Sequence, residues 1–207
     1  MKTLRLILGD QLNIKHSWFK ETNKAVVYCL FEMRQETDYV KHHIQKVIGF
    51  FAAMRQFTED LKTKGHDVEY FKINDEINIQ NLTKNISKLI KEHQIETFEY
   101  ILPDEYRLDN QLNDYCKSLS IQTKSVSAEH FYTKRNDLAT FFKGKKQYLM
   151  ENFYRDMRKN HDILMVADQP EGGKWNYDKS NRNKWKGDVE IPNYKLFKND
   201  VSKVLQD

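Results

Sequence analysis

The sequence predicts an α/β fold, a Rossmann-like five-stranded parallel sheet with helices on both faces, followed by an extended linker. Three observations predict it. Short apolar runs recur along the first 126 residues, each bounded by turn residues or acids. Between most of them lie longer segments whose apolar positions return every three or four residues, the period of a helix with one buried stripe. Strands alternating with helices in this way form parallel sheets through right-handed crossovers.

The first strand is the run Leu4 to Leu8, which stops at Gly9-Asp10-Gln11-Leu12. An apolar run of this length suits a strand covered on both faces. Gly9 has no Cβ, so the chain can turn sharply there and a ligand can come close. The same two residues, Gly9-Asp10, also describe a plain turn with an exposed acid. A polar loop leads to the second strand, Ala25 to Phe31, again ending at an acid, Glu32. A long helix is expected next, with Thr37 as its N-cap, Asp38 in its first turn, and Val40, Ile44, Val47, Phe51, Met54 and Leu61 on its inner stripe. Gly65 closes it. The third strand is Val68 to Ile73, and a helix near Ile79 to His93 turns Leu82, Ile86, Leu89 and Ile90 inward. The fourth strand, Thr97 to Leu102, ends at Pro103-Asp104-Glu105-Tyr106-Arg107; a helix with Leu108, Leu112, Tyr115 and Leu119 follows, then a fifth strand, Ile121 to Val126.

If the strand order is 3-2-1-4-5, the direction of winding reverses between strands one and four. Ligands of open α/β sheets bind outside the carboxyl ends of the strands at that reversal. Gly9-Asp10-Gln11 would then lie beside Pro103-Asp104-Glu105, with Glu32 and Glu36 one strand over. A cleft rich in acids is a poor phosphate cradle, and Gly9 is the only glycine in its turn, so the dinucleotide fingerprint is missing. After Ala128 the alternation ends. A basic turn, Lys143 to Lys146, leads to a helix from Tyr148 to Lys159, and residues 168–198 hold too little aliphatic material for a core of their own. The final stretch, Asn199 to Asp207, begins like a capped helix and stops after about two turns, which is marginal without packing.

Composition narrows the function. The chain has 207 residues, 31% charged and 13% aromatic, with a formal net charge of +4, which describes a folded and weakly basic protein. Cys29 and Cys116 match no metal or redox spacing, favouring buried thiols in a reducing cytoplasm. No run nears the ~20 apolar residues that span a bilayer, so no membrane partner is expected and the localisation is read as cytoplasmic. Neither a serine elbow, a P-loop nor a chelating histidine pair is present, and no catalytic residue or metal site is assigned. Two clusters carry possible chemistry. Glu36, Tyr39 and His43, at three- and four-residue steps, would share a helix face and could hydrogen-bond a polar heterocycle; the spacing equally fits a solvated first turn. Between Lys174 and Lys186, cations alternate with Trp175, Tyr177 and Trp185, a pattern that fits either a nucleic-acid contact or a soluble linker.

Four ordered motifs, Leu6 to Leu12, the Glu36-x-x-Tyr39-Val40-x-His42-His43 run with Ala53-Met54-Arg55 downstream, Met150 to Arg158, and Gly172 to Asp178, resemble the N-terminal part of the bacterial photolyase-related proteins, the iron–sulfur cryptochromes and (6-4) photolyases. The resemblance covers nearly the whole chain. It implies an antenna domain over residues 1–160, with residues 161–207 forming a linker and the start of a helical domain, absent here, that would hold FAD and a [4Fe–4S] cluster. It further implies an antenna pigment, 6,7-dimethyl-8-ribityllumazine, held by Gly9, Asp10, Gln11, Leu12, Glu32, Glu36, Tyr39 and Glu105. By the same resemblance Asp178 and Arg182 match positions near a DNA lesion, and the partners would be ultraviolet-damaged DNA, with Lys184 in the same basic stretch, and the C-terminal helical domain. Where the family has a tryptophan after strand four this chain has Tyr106, and where it has a small aliphatic residue near the pigment this chain has Phe50, which would crowd the pocket. The chain by itself is expected neither to repair DNA nor to transfer electrons. The other reading is an α/β module that binds nucleic acid or a nucleotide-like molecule without light chemistry.

Overall fold

The computed structural model of the protein describes residues 1–179 and 181–207. Two compact units emerge from the packing: Met1–His130 with Asn199–Asp207, and Phe131–Lys198.

The first unit is built on five strands, β1 (Thr3–Leu6), β2 (Val26–Phe31), β3 (Asp67–Phe71), β4 (Thr97–Ile101) and β5 (Gln122–Val126). Their order is β3-β2-β1-β4-β5, and the pairings are parallel, as the alternation of strand and helix implied. Between strands run α1 (Arg34–Thr37), α2 (Ile44–Thr63), α3 (Leu82–Glu92) and α4 (Tyr106–Ser118). β2 is buried at every position, so its side chains serve both layers. Val27, Cys29 and Phe31 cluster with Leu82, Ile86 and Leu89 of α3 and Leu112 of α4; Val26, Tyr28 and Leu30 cluster with Phe51, Met54, Phe57 and Leu61 of α2. Each such side chain, fully buried, contributes about 1.5–3 kcal/mol of transfer free energy. Arg5 interrupts the apolar run of β1. Its cross-strand neighbour is Glu99, which accepts from Arg5 Nε at 2.8 Å, and the guanidinium lies 4.8 Å over the Trp18 ring.

One helix expected from the sequence is divided in two. Thr37 does not cap α2; it ends α1, where its hydroxyl donates to Asp38 Oδ1 at 2.7 Å. The backbone then turns through residues 38–43, and α2 starts at Ile44, capped by His43, whose Nδ1 accepts from Gln45 N at 3.2 Å. The apolar stripe therefore begins a turn later than its period suggested, leaving Val40 and Ile44 exposed. Similarly, α3 starts at Leu82, not near Ile79, because Asn81 accepts from Lys84 N at 3.0 Å. At the other end of α2, Gly65 has φ +86°, and His66 N donates to Leu61 O at 3.1 Å, the bond that closes a helix through a left-handed residue.

The second unit contains α5 (Asp137–Phe142) and α6 (Met150–Asn160), joined by the basic turn, and a two-stranded antiparallel ladder, β6 (Met165–Val166) with β7 (Gln169–Pro170). Arg158 of α6 is buried and donates to the carbonyls of Ile163 and Leu164. From residue 191 to 200 the backbone has no helix, strand or turn. The last helix, α7 (Ser202–Gln206), belongs to the first unit. Asp207 beyond it pairs with Arg55 of α2 at 2.7 Å and with Lys72 at 3.1 Å. Among the described residues no helix is long and apolar enough to cross a membrane.

Candidate functional site

A cleft of about 220 Å³ opens at the carboxyl ends of the strands, where the order reverses. Its floor is apolar, from Ile7, Phe31, Phe51, Met54 and Leu108; its rim carries Asp10, Glu36, Tyr39, Glu105 and Arg107. Gly9 is at the seam. A Cβ there would meet Met54 Sδ at 3.0 Å and Phe50 Cδ1 at 3.5 Å, so the glycine allows α2 to approach the end of β1. Phe50 lines the cleft and remains 41% exposed; it narrows the opening without filling it. Tyr106 points elsewhere, 81% exposed and outside the lining.

Of the residues singled out in the sequence, Gly9, Asp10, Glu36, Tyr39 and Glu105 line this cleft, while Gln11, Leu12 and Glu32 do not. Gln11 is buried and bonds within the protein, accepting from Leu8 N at 3.0 Å and donating to Ile101 O at 3.1 Å and Leu102 O at 3.3 Å. It ties β1 to β4 at the reversal. Leu12 packs on the α2 layer. Glu32 is fully buried. Arg55 holds both its oxygens, at 2.6 and 2.9 Å, while Tyr70 Oη and Ile73 N donate to it at 2.6 and 2.9 Å. Burial first, and then the Glu32 charge, pushes the Tyr70 phenol far up, while the Glu32 bonds raise Arg55. The expected shared helix face of Glu36, Tyr39 and His43 does not form: His43 caps α2, and it is His42 that lines the cleft.

Arg107 organises the rim. Its Nη1 and Nη2 donate to Glu36 Oε1 and Oε2 at 3.2 and 2.7 Å, and its guanidinium lies 4.7 Å over the Tyr39 ring. Gln35 Nε2 adds a third bond to Glu36 Oε1 at 3.1 Å. Hydrogen bonding to Glu36 raises the Arg107 pKa. Glu105 is the N-cap of α4, accepting from Arg107 N and Leu108 N at 2.8 Å each. Desolvation is the largest single influence and raises its carboxyl, but those two N–H groups and the Arg107 charge together outweigh it and leave the pKa below 4.5. Asp10 differs. Desolvation, with Asp104 and Glu36 nearby, lifts its pKa above 3.8 against its own backbone bond and His130. Arg107 escaped attention in the sequence, although a cleft ringed by three acids needs a cation to offset their repulsion.

The second unit has its own cleft, about 510 Å³, lined by Tyr154, Arg158, Trp175, Tyr177 and Asp178 among others. Arg155, Arg158 and Lys159 all lie 5.3–5.6 Å from the Trp175 ring centre. Tyr177 Oη donates to Gly172 O at 3.0 Å, and a Cβ at that glycine would collide with the Tyr177 phenol oxygen. Arg182 and Lys184 are exposed and outside this lining.

A doubly wound α/β domain with an acid-and-aromatic cleft at the reversal of strand order has the architecture in which ligands, where bound, sit at the strand ends. More specifically, residues 5–207 match the family described as deoxyribodipyrimidine photo-lyase-related protein, and the chain belongs to it. It is 32% identical over 200 residues to a (6-4) photolyase of Agrobacterium fabrum, covering 95% of this chain and 39% of that protein. It is 27% identical over 192 residues to an uncharacterized protein of Acanthamoeba polyphaga mimivirus, covering 88% of this chain and 94% of that one. The chain thus spans well under half the length of the photolyase it matches.

Proposed function

We propose that this chain is the light-harvesting part of a photolyase- or cryptochrome-type flavoprotein, binding 6,7-dimethyl-8-ribityllumazine in the cleft of the first unit. The observation that carries the reading is the cleft itself: an apolar floor of Phe51, Met54 and Leu108 under a rim with Asp10, Glu36 and Arg107. A flat heterocycle with a polyhydroxy tail needs that combination, since the floor takes the ring while carboxylates accept from hydroxyls. Family membership supports it independently. When bound, the pigment would absorb near-ultraviolet or violet light and pass excitation to FAD held by a further, helical part of the protein. The protein's own work is to fix the ring's orientation and exclude water. In the full-length protein, damaged DNA is the proposed partner, met in part by the cationic face of α6 around Trp175.

Titrating the purified chain with the lumazine, followed by pigment fluorescence, tests the reading. Saturable binding that weakens in Met54→Trp, which fills the floor, is expected. Absence of binding by the folded chain would overturn it.

A further inference from the structure

The rim of the cleft is asymmetric in hydrogen-bonding capacity. A carboxylate offers about four lone-pair sites and a guanidinium five N–H donors. Glu36 already accepts three bonds, two from Arg107 and one from Gln35. Arg107 has used two donors on Glu36, and its remaining contact is a longer ion pair, 3.6 Å to Glu105 Oε2. Glu105 in turn has both oxygens committed to the backbone of α4. Where Arg107 and Glu36 meet, donors therefore outnumber acceptors by about three to one. The guanidinium is also held in one plane, bidentate to Glu36 and stacked on Tyr39, and it lines the cleft, so N–H groups not spent on Glu36 stand in fixed positions at its rim. On the β1 side the balance is opposite: Asp10 brings acceptors and its nearest charged neighbours are mostly acids.

We infer that Arg107 determines which ligand the cleft accepts and which way round it lies, its free N–H groups receiving the carbonyl edge of a pyrimidinedione-type ring while Asp10 receives the hydroxylated tail. This deepens the antenna reading and rests on it. Glu36, which the sequence placed among the ligand-binding acids, becomes the residue that positions Arg107. A planar fork matches two neighbouring acceptors on a ring edge better than a lysine ammonium does, and a site built to donate rejects a ring lacking those acceptors.

Two ligands separate the roles: the ribityl lumazine, and the same ring carrying a methyl in place of the ribityl chain. Affinities and the absorption band of the bound pigment are measured for the wild-type chain, Arg107→Met, Arg107→Lys and Asp10→Asn. Losing a charge-assisted bond should weaken both ligands in Arg107→Met by the same factor, about ten- to hundredfold, and return the bound pigment's band toward its position in water. Arg107→Lys should recover part of each. Asp10→Asn should weaken the ribityl ligand only and leave the band in place. Loss confined to the ribityl ligand in Arg107→Met, or an unmoved band, would overturn the inference while leaving the antenna reading intact. Failure of the wild-type chain to bind either ligand removes both.

Discussion

Glu32 and Asp10 look alike in the sequence, each an acid just after a buried strand, yet the fold gives them opposite tasks. Glu32 has four donors on its carboxylate and no exposure; removing one partner of such a buried pair is expensive because the other charge stays behind. Glu32→Ala should lower stability by about 3 kcal/mol, read as a shift of the urea midpoint at unchanged slope. Asp10 is carried at a cost. Its pKa is raised in the folded state, so the folded chain binds its proton more tightly than the unfolded chain, and stability falls as pH rises from 3.8 through the raised value. Asp10→Asn should therefore raise the melting temperature at neutral pH, with the gain vanishing below pH 3.8. An unfavourably placed carboxylate that the chain keeps is what a ligand's hydroxyl group would relieve. None of this could be read from the residues alone: Arg55 and Tyr70, which make Glu32 structural, stand 23 and 38 positions away.

At the scale of elements, local chemistry decided the boundaries. Gly65 and the apolar stripes of α3 and α4 were legible because their signals are contiguous in sequence. The start of α2 was not, because Thr37 and His43 are both able to cap and only the packing of Phe51 and Met54 on the sheet selects the second. Glu105 combines cap and site: it fixes the first turn of α4, from which Arg107 reaches Glu36. Glu105→Ala should cost about 1 kcal/mol, and the difference from wild type should shrink in acid. The folded-state pKa of Glu105 is lowered, so its contribution is present above 4.5 and lost as pH falls through the lowered value. Chemical denaturation at neutral pH and again near pH 3 provides the check. A constant difference at both would mean the side chain acts by packing, not by accepting hydrogen bonds.

Across the full length of the chain, a long-range return brings residues 199–207 back to the sheet unit. The parallel sheet follows from the alternation of elements, and the cleft position follows once the order 3-2-1-4-5 is adopted, which is the order the structure has. The return of residues 199–207 does not follow in this way, because its key contact joins Lys72 to Asp207 across 135 positions, and no periodicity carries that far. Asp207 accepts first from Lys72 and then from Asn74 and Arg55, which together hold its pKa below 3.8. Arg55 also grips Glu32, so the last helix is joined through two carboxylates to the end of β2. That arrangement makes α7 the separable part: it has five residues, too few to be stable alone, whereas β2 is buried at every position. Asp207→Ala should speed amide hydrogen exchange in α7 by about two- to fivefold, the range of a partly exposed ion pair, and leave the amides of β1, β2 and β4 unchanged. Raising the salt concentration should reproduce the effect in wild type by screening, as should lowering the pH through the depressed Asp207 value. If the strand amides quicken as well, the Arg55 link carries the disturbance into the sheet and α7 belongs to the same cooperative unit.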